Sequence, residues 1–316
     1  MIINGSVLLR GIIAPLVTPL KGQDSLDHGS LEKLIGHTVA GGVNGLFVLG
    51  TTGEAASLSR ELKLEVISLA CQHAAGRVPV LVGITDPAFS ESVRLANAAA
   101  HAGAAAVVVA PPYYFRYSQS DLLQYLERLS GAIALPLVLY NIPQFTKVVY
   151  AVETVRRASE MQKIVGLKDS SGDLTYLADV VKALRHNPQF GVSIGPEEHL
   201  VEGLQAGACG GVSGGSNLFP HLYVGVYDAA ERGDWDEAAR LQQIIRRASA
   251  VLYRVGDPDS SYLRGLKAAL SVEGICSDLP ALPFTRLTAA EREFVRRGVA
   301  EVRRSMDESA VLSRRL

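Results

Sequence analysis

Cysteine, methionine, tryptophan and any excess of one charge are scarce in this chain of 316 residues, which holds three cysteines, three methionines and one tryptophan. The cysteines, Cys71, Cys209 and Cys276, lie far apart and form no CxxC. That suggests neither a disulfide framework nor a cysteine-based zinc site, and it fits a reducing compartment. The 31 lysines and arginines nearly balance 32 acids, for a formal net charge of -1. Cationic pairs such as Arg246 and Arg247 or Arg296 and Arg297 are scattered among carboxylates, with no interleaved aromatics, so no nucleic-acid partner is expected. No stretch approaches the roughly 18 apolar residues needed to span a bilayer, and residues 1–17 lack the basic start and continuous apolar segment of a secretion signal. The expectation is a cytoplasmic protein with no membrane partner. Seven dispersed histidines show no ligand spacing, which argues against a metal site.

What is present is a globular composition, 48% hydrophobic, able to bury a large core. Short β-rich runs alternate with longer segments of helical periodicity, the signature of parallel strands joined by helices. Strands are expected at 11–17, 45–49, 78–82, 106–109, 137–140, 164–168, 190–194 and 210–213. Helices are expected at 31–40, 61–73, 90–101, 121–129, 152–159, 174–184, 199–206 and 222–231. Eight such units, each roughly 25–35 residues, suit a closed (β/α)8 TIM barrel, with a doubly wound open sheet as the other arrangement the pattern allows. Further helices at 235–255, 262–270 and 289–305 make residues 1–232 a catalytic barrel and residues 233–316 a helical C-terminal extension.

In such a barrel, active-site groups belong at the C-terminal ends of strands and in the loops that follow. The unusual local sequences fall there. Lys168 closes the apolar run Ile164, Val165, Gly166, Leu167, and one unit earlier Tyr140 closes Leu137, Val138, Leu139. A strand this apolar belongs inside a parallel sheet, where desolvation disfavours a charged amine and leaves it nucleophilic. The default for a lysine at a strand end is a snorkelling or paired side chain, so the tyrosine matters. An amine beside a phenol suits Schiff-base formation with a ketone, the imine acting as electron sink while the phenol moves protons. Small residues around Thr51 and Thr52 leave amides and hydroxyls free to hold a carboxylate. Together these point to a 2-oxo acid as the small-molecule substrate.

Gly50-Thr51-Thr52-Gly53-Glu54, Tyr140-Asn141-Ile142-Pro143 and Gly166-Leu167-Lys168-Asp169-Ser170-Ser171-Gly172-Asp173, in that order and spacing, resemble the N-acetylneuraminate lyase and dihydrodipicolinate synthase superfamily. The resemblance covers nearly the whole chain. It implies a barrel with a helical extension, commonly a homotetramer, that binds pyruvate or a derived 2-oxo acid as a lysine Schiff base without metal or organic cofactor. By matching positions it implies Lys168 as the Schiff-base lysine, Tyr140 as the proton-shuttling phenol, and Thr51 and Thr52 as the carboxylate pair, Thr51 also in a relay with Tyr140. It further implies that Tyr114 reaches a neighbouring subunit's site and that Gly195 and Val212 border the pyruvate moiety.

Two positions bear on substrate. In the synthases an arginine after the Tyr-Asn-Val/Ile-Pro motif grips the carboxylate of the aldehyde substrate, and here Phe145 stands at that position. A phenyl ring cannot reproduce the bidentate contact, so dihydrodipicolinate synthesis is disfavoured. The lyases carry an acidic pair that reads sugar hydroxyls, and Glu197 with Glu198 is similar in charge, although acids at a helix start are also favoured by the dipole. The glycine-rich stretch 210–217 holds no lysine or arginine, which argues for a neutral polyhydroxy tail over a phosphorylated one. The expected activity is cleavage of a 2-keto-3-deoxy sugar acid to pyruvate and an aldehyde. A dehydratase or a dihydrodipicolinate synthase on the same scaffold, a metal-dependent aldolase and a non-catalytic 2-oxo-acid sensor are the rivals.

Overall fold

The computed structural model describes residues 2–3 and 6–313, with side chains described for residues 8–309. Eight parallel strands form a closed barrel: β1 (Gly11–Pro15), β2 (Gly45–Val48), β3 (Val80–Gly83), β4 (Ala106–Val109), β5 (Leu137–Asn141), β6 (Ile164–Asp169), β7 (Gly191–Ile194) and β8 (Gly210–Val212). They pair in chain order, and β8 closes the ring on β1. Helices α1 (His28–Ala40), α2 (Arg60–Ala74), α3 (Phe89–His101), α4 (Gln119–Ala132), α5 (Val152–Ala158), α6 (Leu174–Ala183), α7 (Leu200–Gln205) and α8 (Pro220–Glu231) follow the strands in turn. The TIM barrel is therefore the fold, and the open sheet is not. Three further helices, α9 (Trp235–Leu252), α10 (Ser261–Val272) and α11 (Ala289–Ser313), form the C-terminal extension.

Strand positions match the expected runs because each buried parallel strand is an uninterrupted apolar segment. Helix starts fall slightly earlier where a cap sets them. Asp27 accepts the Ser30 amide and opens α1, and a reciprocal capping box between Ser118 and Asp121 opens α4. A short antiparallel hairpin, Leu20–Gly22 with Ser25–Leu26, was not expected. Its strands are too brief to show a period of two, and the turn depends on Asp24 at φ 46.

Alternation along each strand splits the core into two layers. Ile13, Phe47, Leu81, Val108, Val138 and Val212 fill the barrel interior, while Ile12, Leu46, Val82, Val107, Leu139 and Val192 pack outward against the helices. With the interior occupied by side chains, chemistry is left to the rim where the strands end. Closure is tight: Gly210 pairs with Gly11, and a Cβ on Gly210 would overlap the Gly11 backbone.

The extension is fastened to the barrel through a buried ion pair. Glu54, which ends the turn after β2 at φ 57, pairs with Lys267 of α10. Lys267 Nζ also donates to the Leu279 carbonyl at 2.8 Å, and Glu54 accepts the Ala281 amide at 2.6 Å. Both charges are buried, so each depends on the other.

Candidate active site

Register brings Lys168 and Tyr140 together. On adjacent strands Tyr140 stands opposite Lys168, and Asn141 opposite Asp169. Residues paired in a parallel ladder face the same way, so Tyr140 and Lys168 enter the barrel while Asn141 and Asp169 face outward. Lys168 is 5% exposed and Tyr140 6%. The Lys168 Nζ lies 4.2 Å from the Tyr140 ring centroid and 5.2 Å from that of Phe47. Leu9, Ile13, Val138 and Val212 line a narrow apolar crevice with Lys168. Ser193, in register with Lys168 on the other side, is fully buried, and its Oγ has no hydrogen-bond partner among the described residues.

The outward pair holds that register. Asn141 Nδ2 donates to Asp169 Oδ1 at 2.8 Å, and the Ser171 amide and hydroxyl donate to the same carboxylate at 3.1 and 2.9 Å. Asn141 Oδ1 in turn accepts the Tyr150 amide at 3.1 Å. Burial pushes the Asp169 carboxyl up, and the donors from Asn141 and Ser171 oppose that shift.

The turn after β2 brings hydroxyls to the same rim. Thr51 is exposed, with its Oγ1 3.4 Å from the Tyr140 hydroxyl. Thr52 is buried, and its Oγ1 lies 3.0 Å from the hydroxyl of Tyr262 on α10. Thr18 steadies the turn by donating to the Gly53 carbonyl at 2.7 Å. Lys168, Tyr140, Thr51 and Thr52 thus gather at one mouth, as expected from their strand ends.

Glu197 and Glu198 are placed differently. Glu197 is buried, and its carboxylate accepts the Gly215 amide at 2.8 Å, the Tyr223 hydroxyl at 2.5 Å and the Tyr253 hydroxyl at 2.9 Å. Burial raises its carboxyl to about 7, helped by the neighbouring Glu198 charge and opposed by the three donors. Glu198 accepts the Ser249 hydroxyl. Both acids therefore have partners within the protein, drawn from the turn after β8, from α8 and from the extension.

The remaining candidates border the mouth. Val212 shares the crevice with Lys168. Gly195, at the end of β7, donates its amide to the Asp169 carbonyl at 2.7 Å. Phe145 lies on a helical turn, Pro143–Thr146, and is 59% exposed. Tyr114 is 72% exposed and meets Phe115 edge-on at 5.0 Å, and it is not brought into the Thr51 and Tyr140 cluster.

Sequence reasoning missed Phe47, Lys267 and Tyr262. Phe47 carried a usable signal, since it is the aromatic residue on β2 just before the Gly-Thr-Thr-Gly turn. Tyr262 carried none, because its helix lies far along the chain. Its ring packs on Tyr253 with centroids 4.9 Å apart, and burial pushes its phenol up.

The model of the dihydrodipicolinate synthetase family matches residues 8–302. A dihydrodipicolinate synthase structure from Bacteroides thetaiotaomicron superposes with a TM-score of 0.91 at 49% identity, covering 94% of this chain and 99% of that one. YagE, a prophage protein of the same family from E. coli K12 solved with pyruvate, gives 0.88 at 28% identity, covering 94% and 99%. A 4-hydroxy-tetrahydrodipicolinate synthase of Phenylobacterium zucineum is 32% identical over 90% of this chain and 94% of its own length. An uncharacterized DapA-like lyase of Halobacterium salinarum is 31% identical over 93% and 94%.

Proposed function

Because the chain belongs to the dihydrodipicolinate synthetase family of lyases, we propose that it cleaves a 2-keto-3-deoxy sugar acid to pyruvate and an aldehyde through a Schiff base on Lys168. The observation that carries this reading is the register of Tyr140 with Lys168, which sets the amine 4.2 Å from the phenol ring inside an apolar barrel. In this mechanism the Lys168 amine attacks the ketone carbon, and the carbinolamine loses water to give an iminium. The substrate C4 hydroxyl gives up its proton, the bond between C3 and C4 breaks, and its electron pair moves into the iminium to form an enamine. The aldehyde leaves. Protonation at C3 and addition of water then release pyruvate and restore the amine. Tyr140, with Thr51 at 3.4 Å, transfers the protons, and Thr52 helps hold the carboxylate.

The exposed Tyr114 fits a role completed by a second subunit, in a homotetramer, where it would extend the relay from Thr51 to solvent. Phe145 supports a neutral sugar-acid tail, since no guanidinium stands at the position that would grip a second carboxylate. Because Glu197 and Glu198 are engaged by Tyr223, Tyr253 and Ser249, their contribution to substrate is to shape the wall of the mouth.

Dihydrodipicolinate synthesis is the second reading, favoured by the 49% identity to the Bacteroides synthase. A panel separates the two: pyruvate release from 2-keto-3-deoxy sugar acids, against consumption of pyruvate with aspartate semialdehyde. The first reading expects release to dominate. Comparable use of aspartate semialdehyde would establish the second. A dehydrated 2-oxo acid without aldehyde would indicate loss of a hydroxyl from the same imine.

A further inference from the structure

Among the described residues, Tyr262 is the phenol from outside the barrel that enters the hydroxyl cluster at its mouth. Its hydroxyl lies 3.0 Å from Thr52 Oγ1. Two features hold it there. The ring packs edge-on against Tyr253, whose hydroxyl donates to Glu197. Gly214, just after β8, leaves space that a Cβ would take from the Tyr262 hydroxyl.

We infer that Tyr262 is a positioning residue for the substrate carboxylate, orienting the Thr52 hydroxyl by donating a hydrogen bond to it. This rests on the reading that Lys168 binds a 2-oxo acid. A hydroxyl can donate once and accept twice, and an ionised carboxylate only accepts. When Thr52 faces a carboxylate it must donate to it, and its pairing with Tyr262 then requires Tyr262 to be the donor. The phenol proton is thereby committed to Thr52, and the Thr52 proton to the ligand. Hydrogen bonds in such chains strengthen one another in a poorly hydrated site. The extension, in this account, tunes recognition of the acid end of the substrate and leaves the chemistry at Lys168 untouched.

The test is the pyruvate concentration dependence of borohydride trapping on Lys168, read by peptide mass, in the wild type, Tyr262→Phe, Thr52→Val and the double variant. Phenylalanine keeps the ring contact with Tyr253, so folding is retained, and unchanged melting temperature checks this. Tyr262→Phe is expected to raise the half-saturating pyruvate about tenfold, with trapping at saturation unchanged. Thr52→Val should give a similar rise, and the double variant little more than either. With pyruvamide, an uncharged analogue, Tyr262→Phe should shift half-saturation by less than about twofold, since no charged acceptor faces Thr52. An unshifted pyruvate curve, or equal shifts for pyruvate and pyruvamide, overturns the role of Tyr262. Absence of any adduct in the wild type overturns the imine reading and this inference with it.

Discussion

The β5–β6 edge and the turn after β7 carry comparable polar chemistry at one rim, and they use it in opposite ways. At the β5–β6 edge the outward residues, Asn141 and Asp169, take up the local hydrogen bonds, while Tyr140 and Lys168 face the barrel with the phenol near Thr51. After β7 the acids themselves are consumed: Glu197 receives three donors and Glu198 receives Ser249. The difference teaches that residue type and rim position do not identify a substrate-facing group. Hydrogen-bond saturation counts as well, because a side chain already holding several internal donors can turn to a ligand only by abandoning them, at about 1–3 kcal/mol for each group left unpaired.

The largest expected effect is at Tyr140. Tyr140→Phe is expected to lower turnover about 10²–10⁴-fold while pyruvate affinity moves little, as steady-state kinetics beside pyruvate titration would reveal. Equal losses in both would place Tyr140 in binding.

Lys267→Met tests the anchorage of the Thr51 and Thr52 turn. Removing one partner of a buried pair strands the Glu54 charge, and about 3–5 kcal/mol of stability should be lost, read by urea unfolding. A loss within experimental scatter would mean that the turn stands without the extension.

Glu197 gives a smaller, pH-dependent effect. Its folded carboxyl sits at about 7, above the ordinary 4.5, so the folded state holds its proton more tightly than the unfolded state. The stability this confers is fully present below pH 4.5 and is lost as pH rises through about 7. Glu197→Gln should flatten that part of the melting curve series across pH. It should also cost about 1–3 kcal/mol, because an amide turned toward the Gly215 amide leaves two donors facing each other. A large rise in substrate KM with unchanged stability would instead make Glu197 a substrate contact. Glu198→Gln is the mildest change, expected within about 0.5 kcal/mol in stability and with KM essentially unchanged.

Much of this was legible in the sequence because the strands are continuous apolar runs and the site residues sit at their ends. Lys168 and Tyr140 could be placed on one face by counting units alone. Eight units of suitable length pointed to a closed barrel without excluding an open sheet, and the Gly11 and Gly210 contact shows how closure is achieved. The state of the acids was not legible. Glu197 is hydrogen-bonded by phenols 26 and 56 residues downstream, which no local pattern connects to it. Tyr262 reaches Thr52 across 210 residues, and its helix reads only as an amphipathic tail. The unexpected hairpin at Leu20–Leu26 escaped for the opposite reason, being too local and too short for any periodicity.

Every step of the proposed chemistry depends on the amine at the end of β6 forming the imine. Borohydride reduction of the wild-type protein with pyruvate, followed by peptide mapping, measures it most directly. A single N-carboxyethyl adduct on Lys168 is expected, absent in Lys168→Ala. An adduct on another lysine, or none at saturating pyruvate, would contradict it.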